Sequence, residues 1–406
     1  MRKFLYLALF VAAVFTMSCN KKDDAPKTEA EVQEEAEVKD KADLSAQELM
    51  ETAEFTEEGL LGIIKEPKAI TALEYEALFL AYAKCELKDS CSVESCPAND
   101  VAITLNKKDK YDFVEGINRA EIHKKLLKHA NPIVRAQAMS RFRDVWSKDP
   151  STLDLIVDVL KLGKEPVVLC ALFDNMLIQI DDPRFTDLVL AEAKNENPVV
   201  RARVAGLFGK GHGTKNEAAL AVMAQLLEDE NQGVRKAACS NVGGMNLEQF
   251  IKPIVAILSN NDEAEIHDKC VDALLTMFYN YPSHENTSAA AYKAYMEYFA
   301  KKPRSEKVPP WNCISDISSV NKETIDGWKK RAKYFKAADV SKVFTEIILD
   351  DNAAWMARNS AIKVVATWGT LADLKKIKKS LAKSKHDKVK HVMKTLDDTI
   401  AKYGKK

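Results

Sequence analysis

One short pattern returns along the chain at a nearly fixed interval, and a fixed interval limits what a polypeptide can fold into. Asn131-Pro-Ile-Val134-Arg135-x-x-Ala138 is followed by Asn197-Pro-Val-Val200-Arg201-x-x-Val204 and Asn231-Gln-Gly-Val234-Arg235-x-x-Ala238. Two looser copies keep the frame, Glu165-Pro-Val-Val168-Leu169 and Glu263-Ala-Glu-Ile266-His267. The anchor positions 134, 168, 200, 234 and 266 lie 32 to 34 residues apart. A period of this length means stacked supersecondary units, each too small to bury its own apolar face.

The residues say what each unit is. Asn131 and Asn197 suit a helix N-cap, and the proline after each suits the first helical position, where its missing N–H costs nothing. Val134, Ala138, Phe142 and Val145 then share one helical face. A preceding helix supplies the facing stripe: Leu153, Ile156, Val157 and Leu160 in one unit, Ala219, Val222, Met223 and Leu226 in another. Only 14 glycines and 13 prolines occur in 406 residues, too few for the many turns of a β-sandwich or barrel. The expected fold is all-α, an α-solenoid of stacked antiparallel helix pairs.

Asn/Asp-x-x-Val-Arg-x-x-Ala at this spacing resembles the second helix of a HEAT repeat. The likeness covers roughly Ile122 to Tyr279 and returns at Asn352–Trp368 and His386–Tyr403, with Leu169 and His267 standing where an arginine is expected. The resemblance implies that Arg135, Arg201 and Arg235 link adjacent repeats through polar contacts.

Six segments follow. Residues 1–18 read as a signal peptide: Arg2 and Lys3, then an apolar run from Phe4 to Met17, too short to span a bilayer comfortably. Ser18 and Cys19 follow, and the stretch resembles a bacterial lipoprotein signal, which implies a lipid on Cys19. A plain secretory signal cut nearby is the alternative. Residues 19–43, rich in Lys, Asp, Glu and Ala and without aromatics, read as a charged tether. Residues 44–120 read as an N-terminal helical region with a cysteine-rich loop, 121–280 as the repeats, 281–350 as a degenerate repeat with a long loop, and 351–406 as lysine-rich C-terminal repeats. The expected location is a cell or outer membrane, lipid-anchored and facing the periplasm or the exterior.

Candidate chemistry is sparse. Cys85, Cys91 and Cys96 lie close together in a chain expected to be exported, so at least one disulfide among them is anticipated, the third being free or paired with a distant partner such as Cys313. A zinc site is the alternative, although the spacings are loose and no histidine is near. Cys170, Cys239 and Cys270 fall within repeat helices and read as small core residues. His284-Glu285 is the single pairing of the kind that HEAT-like di-iron enzymes use several of. No phosphate loop, nucleophile elbow or His-Glu-x-x-His motif occurs. No catalytic residue, metal ligand or cofactor is therefore expected.

Lys+Arg and Asp+Glu are both 60, so overall charge makes no case for nucleic acid. The expected partner is a protein, met along the face opposite the apolar stripe, where Ser140, Arg143, Asp174, Lys236, Ser240, Asp268 and Asp272 stand. Plain solvated surface is the other reading of the same residues. The lysines of the last helices suit either anionic lipid headgroups or a solvated face interspersed with aspartates. The expected role is a membrane-anchored binding or scaffold module. The rivals are an enzyme or cofactor protein on the same scaffold, such as a bilin-lyase-like one, and a self-associating envelope component.

Overall fold

The computed structural model describes residues 44–66, 69–93, 96–105, 116–141, 152–175, 183–209, 216–279, 287–301, 327–328, 330–386 and 388–403. Cys19, the tether, Phe142, Arg143, Val145, His284, Glu285 and Cys313 lie outside them. The described residues form nineteen α-helices, several short 3-10 turns and no strand.

Four helices come first: α1 Ala46–Met50, α2 Glu57–Lys65, α3 Ala72–Leu80 and α4 Pro97–Leu105. The Ser45-x-x-Glu48 spacing closes a capping box at α1, and Thr71 with Glu74 closes another at α3. Helix α3 is the hub of this region, with Ala77, Phe79 and Tyr82 of its 3-10 continuation fully buried. Burial pushes the Tyr82 hydroxyl up to about 12, and it donates to Asn99 at 3.1 Å.

The repeats follow as pairs. First helices are α5 Arg119–Leu126, α7 Thr152–Leu162, α9 Pro183–Glu192, α11 Glu217–Leu227 and α13 Ile251–Ser259. Second helices are α6 Pro132–Ser140, α8 Pro166–Asn175, α10 Pro198–Gly209, α12 Gln232–Val242 and α14 His267–Tyr279. Each second helix packs on the next, from α6 through α8, α10 and α12 to α14, while α9, α11 and α13 line up in the first-helix layer. This is the two-layer stack the period requires.

The anchors confirm the register. Val134, Val168, Val200 and Val234 are 0% exposed and Ile266 is 2% exposed. Asn131 and Asn231 accept backbone N–H bonds at the starts of α6 and α12, and Asn197 accepts from Val199 at 2.9 Å. Ala219, Met223 and Leu226 are buried as the helical period expects. Ile156 is buried as expected, but Val157 is a correction: it is 37% exposed, and Val159 takes its place in the stripe. A helix buries only the face its partners cover, so the stripe of α7 is narrower than the helical period alone suggests.

After α14 come α15 Ala289–Lys301, α16 Ala337–Leu349, α17 Trp355–Trp368, α18 Leu371–Leu381 and α19 Val389–Tyr403. Helices α16 and α17 form a pair, as do α18 and α19, and α17 packs on α19. The irregular stretch between the two repeat blocks is filled with aromatics. Trp328 is fully buried, donates its indole N–H to the Phe278 carbonyl at 3.0 Å, and meets Trp368 edge-on at 5.3 Å and Phe335 at 4.8 Å. These ring contacts connect α14 to α17 where the repeat sequence has lapsed.

Candidate interaction surface

The repeats are tied together by an arginine ladder, and the ladder decides which polar groups remain for anything else. Arg135 is 2% exposed; its guanidinium donates to the carbonyls of His129 and Ala130 and to Glu165 of the next repeat at 2.7 Å. Arg201 donates to the carbonyls of Asn195 and Glu196 and forks onto Asp229 with two bonds of 2.8 Å. Arg235 donates to the carbonyls of Asp229 and Glu230 and forks onto Glu263. Every arginine thus closes the loop of its own repeat and grips a carboxylate in the loop of the next. The planar fork makes this possible, since one guanidinium can serve two carbonyls and a carboxylate together.

The energetics follow the geometry. Burial opposes ionisation of Asp229, but hydrogen bonds from the Arg201 side chain and the Asn231 N–H outweigh it and hold the carboxyl below its ordinary range. The hydrogen bond to Asp229 raises Arg201 in return. At the start of the ladder, burial lowers His129, whose Nδ1 accepts from the Asn131 N–H at 3.1 Å.

The two positions that lack arginine are bridged differently. Beside Leu169, Lys164 reaches Glu192 of the following repeat at 3.3 Å, and Glu192 also accepts from Asn195. His267 turns Nε2 toward the carbonyls of Ile257 and Asn260, so Nε2 carries the proton and Nδ1 accepts from Tyr298. A further rung, not singled out in the sequence, is Arg358: fully buried, it donates to the Ile348 carbonyl and pairs with Asp351 at 3.2 Å. Its signal was Asn352-Ala-Ala-Trp355-Met-Ala-Arg358, a stretched copy of the repeat pattern.

With the arginines occupied, the solvent face of the second helices is narrow. Asp174 and Lys236 are exposed, with Asp174 paired to Arg203 at 3.4 Å. Ser240 is exposed, but its hydroxyl donates to the Lys236 carbonyl. Asp268 and Asp272 are only partly exposed, a correction to their expected outward placement. Helix α14 is enclosed by α12, α13 and α15, so its polar residues have little open face. Arg143 lies outside the described residues.

The cysteine loop holds the expected disulfide, and its third cysteine finds a distant partner, Cys170 and not Cys313. Cys85 is joined to Cys96, with Cα atoms 5.5 Å apart, and Cys91 to Cys170 of α8, at 5.6 Å. Cys239 of α12 is joined to Cys270 of α14 at 4.8 Å. Cys170, Cys239 and Cys270 are buried in repeat helices but bonded, not free. The tight approach of α12 and α14 explains the last pair: at Gly243, one turn beyond Cys239, a Cβ would come within 2.9 Å of the Ala273 Cα. The signal was available, because positions 239 and 270 sit five and four residues after successive anchors and so approach each other across the stack. The Cys91–Cys170 bond fastens the cysteine loop against the repeats. Within the loop, burial opposes ionisation of Asp89, but the N–H groups of Ser92 and Cys91 outweigh it, with a smaller contribution from Arg203, and hold the carboxyl below its ordinary range.

Among the described residues no group of three or more His, Cys, Asp or Glu is placed to hold a metal ion. A small apolar depression between α2, α3 and α4 is lined by Phe55, Ile63, Leu78 and Val101, with a volume near 10 Å³, no more than a single water requires. No described helix is long and apolar enough to cross a membrane.

Comparison with known proteins agrees with the architecture. Residues 186–275 match the HEAT repeats family, spanning α9 to α14 and two rungs of the ladder. No curated protein matches the chain.

Proposed function

We propose that this HEAT-like repeat protein is an exported, lipid-anchored scaffold that binds a protein partner along its second-helix surface and catalyses no reaction. The observation that carries the reading is the division of labour among its charges. The buried arginines and their carboxylates are consumed in joining repeats, which makes a stiff array, while Asp174, Lys236 and the half-open Asp268 and Asp272 form a strip of mixed sign. A strip of this kind gives register and selectivity to a protein contact more than raw affinity.

Three disulfides support the location. Such bonds persist in oxidising compartments outside the cytoplasm, and they fit the apolar run before Cys19. The chain would then be tethered through a lipid on Cys19, with residues 19–43 as a spacer reaching on the order of 25–30 Å.

The test is crosslinking of the native protein in its envelope, followed by mass spectrometry, for wild type and for Asp174→Lys combined with Lys236→Glu. Partners captured by wild type and lost in the double variant, with melting unchanged, support the reading. Identical capture by both removes this strip as the binding surface.

A further inference from the structure

The charges of this chain cancel overall but not locally. Residues 371–406 hold twelve lysines against four aspartates, so the preceding residues carry 48 basic side chains against 56 acidic ones. Asymmetry of this kind points to an anionic contact at the basic end.

Helix α18 concentrates the excess. Leu374, Ile377 and Leu381 are buried against the stack, and Lys375, Lys376 and Lys379 occupy the opposite face, with Lys383 in the turn just past the helix end, all exposed. Their spacing sets four ammonium groups along one ridge. Asp373, the one acid of α18, is engaged by the Thr370 N–H and hydroxyl in the capping box, and Lys378 is taken by Asp397 at 2.7 Å. Among the described residues no carboxylate pairs with the four ridge lysines. An ordinary solvated cap intersperses both signs; this one does not.

Two further features mark the same pair of repeats. Trp355 and Met356 are 37% and 42% exposed at the start of α17. Trp355 lies 5.7 Å from the ring of His391, whose neighbours one turn away on either side are Lys388 and Lys394. An exposed indole among lysines is the composition that membrane–water interfaces accept. The basic side chains here are all lysine, with no arginine after Arg358. Lysine is a mobile point charge suited to a diffuse anionic plane, whereas bidentate reading of a particular phosphate or base edge favours arginine.

We propose that the α18 ridge of Lys375, Lys376, Lys379 and Lys383 is an electrostatic docking face for an anionic lipid bilayer. The inference stands on this end of the molecule alone and does not require the lipid on Cys19. If both hold, the array is fixed at two ends and lies along the membrane.

The experiment uses the full chain on phosphatidylcholine vesicles and on vesicles containing about one-third phosphatidylglycerol, with amine acylation read lysine by lysine in the mass spectrometer. Any N-terminal insertion contributes on both vesicle types, so the difference between them reads the ridge. Lys375, Lys376, Lys379 and Lys383 are expected to be protected on the anionic vesicles only, and to lose protection in molar salt. Lysines near an anionic surface contribute roughly fivefold each, so changing all four to Gln should weaken the charge-dependent binding by roughly several hundredfold. Changing all four to Arg should preserve it, and both variants should melt like wild type. Equal acylation on the two vesicle types overturns the proposal. So does protection that appears without vesicles and rises with protein concentration, which would assign the ridge to the acidic part of a second copy.

Discussion

Arg201 offers the sharpest test of how the repeats are held. Replacing it with Met keeps the stem length and removes five N–H donors. The carbonyls of Asn195 and Glu196 lose their donor, and Asp229 loses a two-bond fork while keeping the Asn231 N–H. Breaking a buried pair by removing one partner costs about 3–5 kcal/mol. Both side chains here are about one-tenth exposed, and the retained bond to Asp229 offsets part of the loss, so the expected cost is about 2–4 kcal/mol. Replacing Asp229 with Asn should cost less, because its amide oxygen can still accept. A double-mutant cycle should return a coupling of about 1.5–3 kcal/mol at neutral pH. The sign with pH is fixed. Asp229 is depressed in the fold, so its contribution is complete above the ordinary carboxyl value near ~4 and disappears as pH falls through the depressed value. Native-state hydrogen exchange is the suitable assay, because a repeat array opens in parts and one melting temperature averages over them. Amides of α10 and α12 should lose protection together, since the rung spans both repeats. A coupling under about 0.5 kcal/mol, or loosening confined to α10, would refute the idea that the ladder joins one repeat to the next.

Other outcomes follow from the same structure. Val200→Ala removes two buried methyl groups, about 1.6 kcal/mol of transfer free energy and about 2–3 kcal/mol with the cavity, read as a lower urea midpoint; Lys236→Glu should move that midpoint by less than about 0.5 kcal/mol. Non-reducing peptide mapping should recover Cys85–Cys96, Cys91–Cys170 and Cys239–Cys270, and peptides carrying three free thiols from the 85–96 loop would contradict this pairing. Losing the Cys91–Cys170 bond through paired Ser substitutions should cost up to about 4.5 kcal/mol by the loop-closure relation for its 79-residue separation, measured by chemical denaturation. Cys19→Ser should move the protein from the detergent phase to the aqueous phase on fractionation, and equal partitioning would sink the anchor.

The repeat period alone determined the architecture. A valine or isoleucine at each anchor, with asparagine or glutamate three residues before it, can satisfy both cap and core in just one way, so the stacking of α6 through α14 was legible without coordinates. The role of Arg135, Arg201 and Arg235 came from the likeness to HEAT repeats, and their bonds to Glu165, Asp229 and Glu263 bear it out. What the sequence could not supply was contact between residues far apart in it. Cys91 meets Cys170 across 79 positions, and Trp328 meets Phe278 and Trp368 where no repeat motif marks the place. Exposure behaved the same way. Helical period alone assigns Lys236 and Asp272 alike to an outward face, but Lys236 stands in solvent while Asp272 is half covered. That difference depends on which helices enclose α14, and enclosure belongs to the tertiary structure because it is fixed by neighbours that the local pattern never sees.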